Sequence, residues 1–378
     1  MTKALHGKKS HFGYIPALDG VRALAVFLVI ASHIGLPGFP GGGYGVDMFF
    51  VLSGFLITTL LLEEIDGTGR INVLHFYARR LLRLYPALLL LLLLFAAFFH
   101  ILEHELPNLT GTDYVKDITL AALYLTDYAV AFGFENRNSL IGHTWSLAVE
   151  EHFYLVWPWA LLGLRRAFRG GNLAAALLAL YVAATAWRLS CLSFQPWTMV
   201  YFRFDTRFAG LVLGALLAVV RLQGRKIPGA NALFVLSGLA FLFCLYWIPS
   251  MEMATRLTIA PELFTFFLID RILAAKDGTA AAWLSGPALV FFGRISYGLY
   301  LFHFPVAALL SRTRTGPPGA VDLPMKNEHW AVHLEITLAV AVALAWFSWN
   351  TVEKAGRVQM KKFQARGAGK HLPAEKSA

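Results

Sequence analysis

Leu18-Asp-Gly-Val-Arg22-Ala-Leu-Ala-Val-Phe-Leu-Val-Ile-Ala-Ser-His33 reads as the body of a membrane-spanning helix that carries two ionisable side chains. Arg22 and His33 are eleven residues apart, which at about 100° per residue returns to nearly the same helix face. A rise of ~1.5 Å per residue separates them by roughly 16 Å along one stripe, about half a hydrocarbon thickness. An ionisable group at membrane depth costs at least about 2–3 kcal/mol, so such residues usually face a cavity or a partner. Two on one stripe point to a lined passage. The plainer alternative has Arg22 snorkelling to the interface and pairing with Asp19 one turn back, with His33 near the opposite interface.

Composition places the whole chain in a membrane. Of its 378 residues 57% are hydrophobic and only 15% charged, and the mean hydropathy is +0.57. Apolar runs of near-spanning length predict about ten helices, at 16–34, 46–63, 84–102, 148–164, 173–191, 207–221, 230–248, 257–273, 288–310 and 331–350. The expected fold is therefore an all-α polytopic helix bundle. It divides into an N-terminal segment at 1–15, a transmembrane domain at 16–352 and a basic, disordered tail at 353–378. The first helix resembles a secretory signal, but Arg22 interrupts its core and no small-residue cleavage site follows, so it reads as a retained span.

Charge sets the expected orientation. Lys3, Lys8 and Lys9 precede the first span; Arg70, Arg79, Arg80 and Arg83 lie between the second and third. Arg165, Arg166 and Arg169 follow the fourth, Arg221, Arg225 and Lys226 the sixth, and Lys354, Arg357, Lys361 and Lys362 the last. Every second connection is basic, which predicts a multi-pass protein with those connections and both termini cytoplasmic and the 103–147 loop outside. The 311–330 loop, with Arg312, Arg314 and Lys326, runs against this pattern. The net charge of +10 follows from it, and because the basic residues hug helix ends, nucleic-acid binding is not expected. Cys191 and Cys244 read as buried apolar cysteines, with no CxxC or Cys/His spacing for a metal.

The polar residues then sort by side. The outer half collects His33, Asp47, the run His143-Thr-Trp145-Ser146-Leu-Ala-Val-Glu150-Glu151-His152, and His303. His143, Ser146 and Glu150 are related by steps of three and four and share a face if the helix starts early enough; Ser296, Tyr300 and His303 repeat the arrangement. Plainer readings exist: Ser146 as a helix cap, Glu150 and Glu151 favoured near the positive helix end, His303 as a satisfied core histidine. The inner half collects Arg22 and Phe76-Tyr-Ala-Arg79-Arg80-Leu-Leu-Arg83-Leu-Tyr85-Pro86. Its guanidinium face suits bidentate phosphate binding, or serves only as positive-inside anchoring. Gly41-Gly-Gly-Tyr-Gly45 before the second span lacks Walker spacing and its Lys, and reads as a site of close backbone approach or an unwound helix start.

These residues carry a resemblance. Arg22-x10-His33, Gly45-Val-Asp-Met-Phe-Phe-Val-Leu-Ser-Gly-Phe55, Arg79-Arg-Leu-Leu-Arg-Leu-Tyr-Pro86, Thr144-Trp-Ser-Leu-Ala-Val-Glu-Glu151 and Ile295-Ser-Tyr-Gly-Leu-Tyr-Leu-Phe-His303 are similar to motifs of the acyltransferase 3 family of bacterial membrane O-acyltransferases. The likeness runs from about Ala17 to Val352. It implies transfer of an acyl group, commonly acetyl, from cytoplasmic acyl-CoA to a hydroxyl of an envelope carbohydrate or glycolipid. It also implies that His33 is catalytic, that Arg22 belongs to the donor site, and that Ser146 and Glu150 form the family's Ser-x3-Glu pair. The periplasmic hydrolase-like domain that some relatives carry is not expected, which leaves acceptor binding to the membrane core and outer loops.

The chemistry suits these groups. Acyl transfer from a thioester to an alcohol needs a base for the alcohol proton and donors for the developing oxyanion. His33 fits the first task, and Glu150 or Asp47 could fix its tautomer as the third member of a triad does. Acyl-CoA is expected as donor substrate with no permanently bound cofactor; Arg79, Arg80 and Arg83 would take its phosphates and Arg22 would lie farther in. Ser146, Trp145, His143, Tyr300 and His303 are assigned acceptor-binding or structural roles, with Tyr300, Trp145 and amides near Gly45 as oxyanion-donor candidates. Acylation of Ser146 is the competing mechanism. The rival from another class is a transporter or channel using the intramembrane ionisable residues as a relay, although no repeat of the kind transporters use is visible.

Overall fold

A computed structural model describes residues 12–102, 113–134, 139–168, 171–248, 250–312 and 329–369. Among these residues every element is a helix and no strand forms. The first half comprises α1 (Pro16–His33), α2 (Gly45–Thr68), α3 (Val73–Leu102), α4 (Tyr114–Ala122), α5 (Thr126–Ala131), α6 (Trp145–Ala167) and α7 (Gly171–Cys191). A broken stretch follows, α8 (Trp197–Phe202), α9 (Phe204–Arg207) and α10 (Ala209–Leu222), then α11 (Ala230–Tyr246), α12 (Met251–Arg256) and α13 (Ile259–Ala274). The chain closes with α14 (Thr279–Leu284), α15 (Pro287–Arg294), α16 (Ser296–Arg312), α17 (Trp330–Asn350) and α18 (Val352–Gly369).

All ten expected segments are helical, with informative differences at their ends. α3 starts at Val73, well before residue 84, and carries the whole arginine run on helix; Pro86 lies inside it. The expected span at 288–310 is two helices, α15 and α16, bent by 70° at their junction. The expected tail at 353–378 is a correction: residues 352–369 form α18, which packs on α3. Its Gly356 lies against the Leu82 backbone, where a Cβ would collide with the Leu82 carbonyl oxygen. Residues 103–112 of the expected outer loop and most of the 311–330 loop lie outside the described residues.

Five helices are long and apolar enough to cross a membrane on length and composition alone, or six if the bent pair counts as one span. The distribution of side chains agrees. α11 exposes Leu236, Leu239, Leu242 and Phe243, and α17 exposes Ile336, Val340, Trp346 and Phe347. Charged and polar groups are instead buried, among them Asp47, Arg188, Arg207, Glu262 and His303. An apolar exterior around an ionic interior fits lipid, where apolar surface is not driven inward and charge is. This is a multi-pass membrane helix bundle.

With no hydrophobic drive between helices in lipid, close backbone packing and polar contacts hold the bundle. α2 and α10 meet through Gly54 and Gly214: a Cβ on Gly54 would run into the Leu211 carbonyl, and one on Gly214 into the Val51 carbonyl. Arg188 of α7 pairs with Glu262 of α13 at 2.8 Å, and Tyr181 donates to the same carboxylate at 3.0 Å. Both charges are fully buried, so removing either partner strands the other. The start of α1 and the first turns of α18 come together at one end of the bundle, since Gly13, Tyr14 and Met360 line one cavity. We call this the arginine end, and the opposite one, where α1 finishes at His33, the histidine end.

Candidate active site

A cavity of about 660 Å³ enters the bundle from the arginine end. α1, α2, α3, α6, α15, α16, α17 and α18 all contribute to its wall. Five arginines line it, Arg22, Arg80, Arg83, Arg294 and Arg357, against three carboxylates, Asp19, Glu150 and Glu353. Arginines thus outnumber carboxyl groups by two, and the rest of the lining is mainly aliphatic and aromatic, including Leu18, Phe49, Ile57 and Trp349. At its mouth Arg294 donates to the Tyr14 hydroxyl at 3.1 Å, Tyr14 donates to Asp19 at 2.6 Å, and Arg22 donates to Asp19 at 2.5 Å. The Tyr14 phenol is raised, first by burial and then by its bond to Asp19. Arg22 thus pairs with Asp19 and faces the cavity, whereas His33 is not among the residues that line it. Arg80 lies over the Phe76 and Tyr154 rings, 5.8 and 5.3 Å from their centroids.

Deep in the cavity lie Ser146 and Tyr300, with Glu150 one turn along α6. Tyr300 donates to the His143 carbonyl at 3.0 Å, and its oxygen is 2.5 Å from the Ser146 hydroxyl. Ser146 is only 3.4 Å from that same carbonyl, so the consistent proton order is Ser146 to Tyr300 to His143. Neither partner of Ser146 is a base. Glu150 accepts from Ser53 of α2 at 2.7 Å, tying α6 to α2 across the cavity wall.

One helical turn past Tyr300 stands a histidine cluster. The His303 and His33 rings are stacked with centroids 5.1 Å apart, and His33 Nδ1 is 2.9 Å from His303 Nε2. His303 Nδ1 faces the Leu299 and Tyr300 carbonyls at 3.1 and 2.8 Å. Carbonyls only accept, so Nδ1 of His303 carries the proton and its Nε2 is an acceptor. His33 must then donate from Nδ1, which leaves its Nε2 lone pair free. His303 is fully buried, whereas His33 is an exposed residue at the histidine end with its ring packed on those of His303 and Phe304. The pair thus presents one imidazole nitrogen of fixed tautomer at the histidine end, backed by a buried imidazole and two backbone carbonyls. His143 packs beside them, its ring 5.7 Å from that of His303, and its Nε2 donates to the Leu301 carbonyl at 3.1 Å. Among the described residues no group of three or more His, Cys, Asp or Glu is arranged to hold a metal ion.

Of the residues singled out by sequence, Arg22, Arg80, Arg83, Ser146, Glu150 and Tyr300 line the cavity. His33, His143 and His303 converge beyond its deep end. Three lie elsewhere. Asp47 is bound to Arg207 at 2.8 Å, and Arg207 sits over the rings of Phe50, Trp145 and Tyr201. Trp145 is one wall of that aromatic box, and Arg79 pairs with Glu64 at 3.2 Å. The partner that orients His33 is therefore a histidine, in place of the carboxylate that the triad analogy predicts. Sequence reasoning missed Arg294, Arg357, Tyr14, Ser53 and Glu353. Ser53 had a signal in its place, third from the end of a quoted motif; Tyr14, Glu353 and Arg357 bond to partners five to eight residues away, but that spacing does not point to a cavity, and Arg294 reaches Tyr14 across 280 positions.

Comparison with known proteins follows this geometry. The acyltransferase 3 family, described as an acyltransferase domain, matches residues 15–349. A Bacillus subtilis (strain 168) protein provisionally named peptidoglycan O-acetyltransferase YrhL is 30% identical over 375 residues, covering 94% of this chain and 57% of that protein. O-acetyltransferase OatA of Staphylococcus aureus (strain NCTC 8325 / PS 47) is 32% identical over 314 residues, covering 79% of this chain and 51% of that protein. The chain thus spans little more than half the length of these curated relatives. No solved structure matches. With the match covering almost all of the helical bundle, the chain belongs to the acyltransferase 3 family.

Proposed function

We propose that this protein is a membrane O-acyltransferase that moves an acyl group, most simply acetyl, from cytoplasmic acyl-CoA to a hydroxyl of an envelope or exported carbohydrate or glycolipid. The observation that carries this reading is the paired arrangement of an arginine-lined cavity at one end and a free imidazole nitrogen at the other. Arg22, Arg80 and Arg83 give the cavity the charge that phosphates need, and its aliphatic lining suits an extended pantetheine arm. The proposed orientation puts the arginine end in the cytoplasm and makes this protein a resident of the bacterial inner membrane. Family membership and the names of the relatives support acyl transfer over transport.

In the proposed mechanism an acceptor hydroxyl approaches His33 from the histidine end. Nε2 takes the hydroxyl proton as the oxygen attacks the thioester carbonyl. The C–O bond forms, the tetrahedral intermediate collapses, the C–S bond breaks, and the imidazolium returns its proton to the CoA thiolate. The neutral His303 accepts from His33 Nδ1 throughout, holding the ring but adding no negative charge. Ser146, bonded to a phenol and near a carbonyl, has no base to activate it and is assigned a structural role with Tyr300. The support for direct transfer is that Ser146 lacks the base a nucleophile requires.

The test is transfer by purified protein from acetyl-CoA to a soluble polysaccharide fragment. His33→Ala is expected to bind acetyl-CoA and lose transfer by about 10²–10⁴-fold, as removal of a general base does. Ser146→Ala should keep measurable activity, and mass spectrometry with acceptor withheld should find no acyl-enzyme. Acyl accumulating on Ser146 or on His33 would replace direct transfer with a ping-pong route.

A further inference from the structure

The last helix is built into the cavity. α18 follows α17 after a one-residue break at Thr351, and its residues Glu353, Arg357 and Met360 all line the wall. Their spacing of four and three puts them on one helix face. Two contacts fix the break: Ser348 donates to Glu353 at 2.9 Å, and Arg357 reaches back to the Trp349 carbonyl at 2.7 Å. The Arg357 guanidinium also lies 3.8 Å from the centroid of the Trp349 ring, a close cation–π stack. Glu353 does not neutralise it tightly, since their closest approach is 3.8 Å and Glu353 is already held by Ser348. Arg357 keeps about a third of its side-chain surface open, at 31%. A flat, pre-oriented cation with unspent N–H donors therefore faces the mouth of a cavity already rich in arginine.

We propose that Arg357 of α18, stacked on Trp349, is a phosphate-binding residue of the donor site, so that the C-terminal helix selects acyl donors that carry a nucleotide over acyl-pantetheine donors that do not. This rests on the acyl-CoA reading given above and extends it to a residue outside the matched family region, which ends at 349. Guanidinium suits the task because it is planar, always charged and able to donate two parallel hydrogen bonds to a phosphate. The stack on Trp349 and the bond to its carbonyl hold the fork in place before the ligand arrives, which reduces the ordering needed on binding.

The experiment compares acetyl-CoA with acetyl-pantetheine as donors for the full-length protein in detergent or nanodiscs, reading KM and kcat separately. Arg357→Gln keeps a donor for the Trp349 carbonyl and removes the charge; Arg357→Lys keeps the charge and loses the fork. Arg357→Gln is expected to raise KM for acetyl-CoA by about 10- to 100-fold, the worth of a charge-assisted contact. It should change kcat little and leave KM for acetyl-pantetheine where it was, and Arg357→Lys should recover part of the loss. Equal loss with both donors, or no loss with either, would make Arg357 a brace between α17 and α18 and overturn the inference. Wild-type protein that uses neither donor would instead sink the acyl-CoA reading itself, an outcome separate from any effect of Arg357.

Discussion

At the residue scale the site depends on which atoms hold protons. His303 cannot accept at Nδ1, because two carbonyls face it, and this propagates to His33 and leaves one nitrogen free. If this relay orients the base, His303→Leu should lower kcat by up to about 100-fold, the low end of what losing a general base costs. Donor KM should stay unchanged, because His303 does not line the cavity. His303→Gln restores an acceptor for His33 Nδ1–H and should rescue a measurable part of kcat. A purely structural role would move both variants together, with protein yield falling alongside activity. Arg22, His33, Ser146 and Tyr300 were legible in the sequence because helical spacing places them on shared faces. The His33–His303 bond joins residues 270 positions apart, and no local spacing encodes it.

At the element scale, glycine placement decides which helices may touch. α2 contains two contrasting examples. A Cβ on Gly54 would collide with the Leu211 carbonyl of α10, while Gly67 has nothing within 4 Å. Gly67→Ala should be neutral or stabilising by up to about 1 kcal/mol, through helix propensity alone. Gly54→Ala should force α2 from α10 and destabilise by about 1–3 kcal/mol or more, as overpacking does. Thermal or denaturant unfolding in detergent reads both, and equal effects would contradict the packing scheme. The existence of all ten expected helices was legible because apolar runs of near-spanning length are a strong signal. α18 was not: its composition is that of a basic tail, and Gly356 and Met360 show their purpose only against α3 and the cavity. Likewise the arginine run reads as a loop until it is seen to continue α3, where Arg79 turns to Glu64 and Arg80 and Arg83 to the cavity.

At the scale of the whole molecule, the bundle separates two chemistries along its long axis. One end gathers guanidinium groups around an open cavity; the other holds the His33–His303 pair, with Ser146 and Tyr300 lying between. The buried pairs Arg188–Glu262 and Arg207–Asp47 lie apart from both and tie α7, α13, α2 and α9 together. Breaking a buried pair by removing one member typically costs about 3–5 kcal/mol, so these arginines belong to the scaffold. The central claim is that donor and acceptor meet inside this bundle from opposite faces, with CoA never crossing. The most direct measurement uses sealed vesicles of oriented protein, with acetyl-labelled CoA confined to the face of the arginine end and a soluble polysaccharide fragment to the other. The account predicts label on the polysaccharide, free CoA retained on the donor face, and neither with His33→Ala. Label transferred only when donor and acceptor share a face would contradict it.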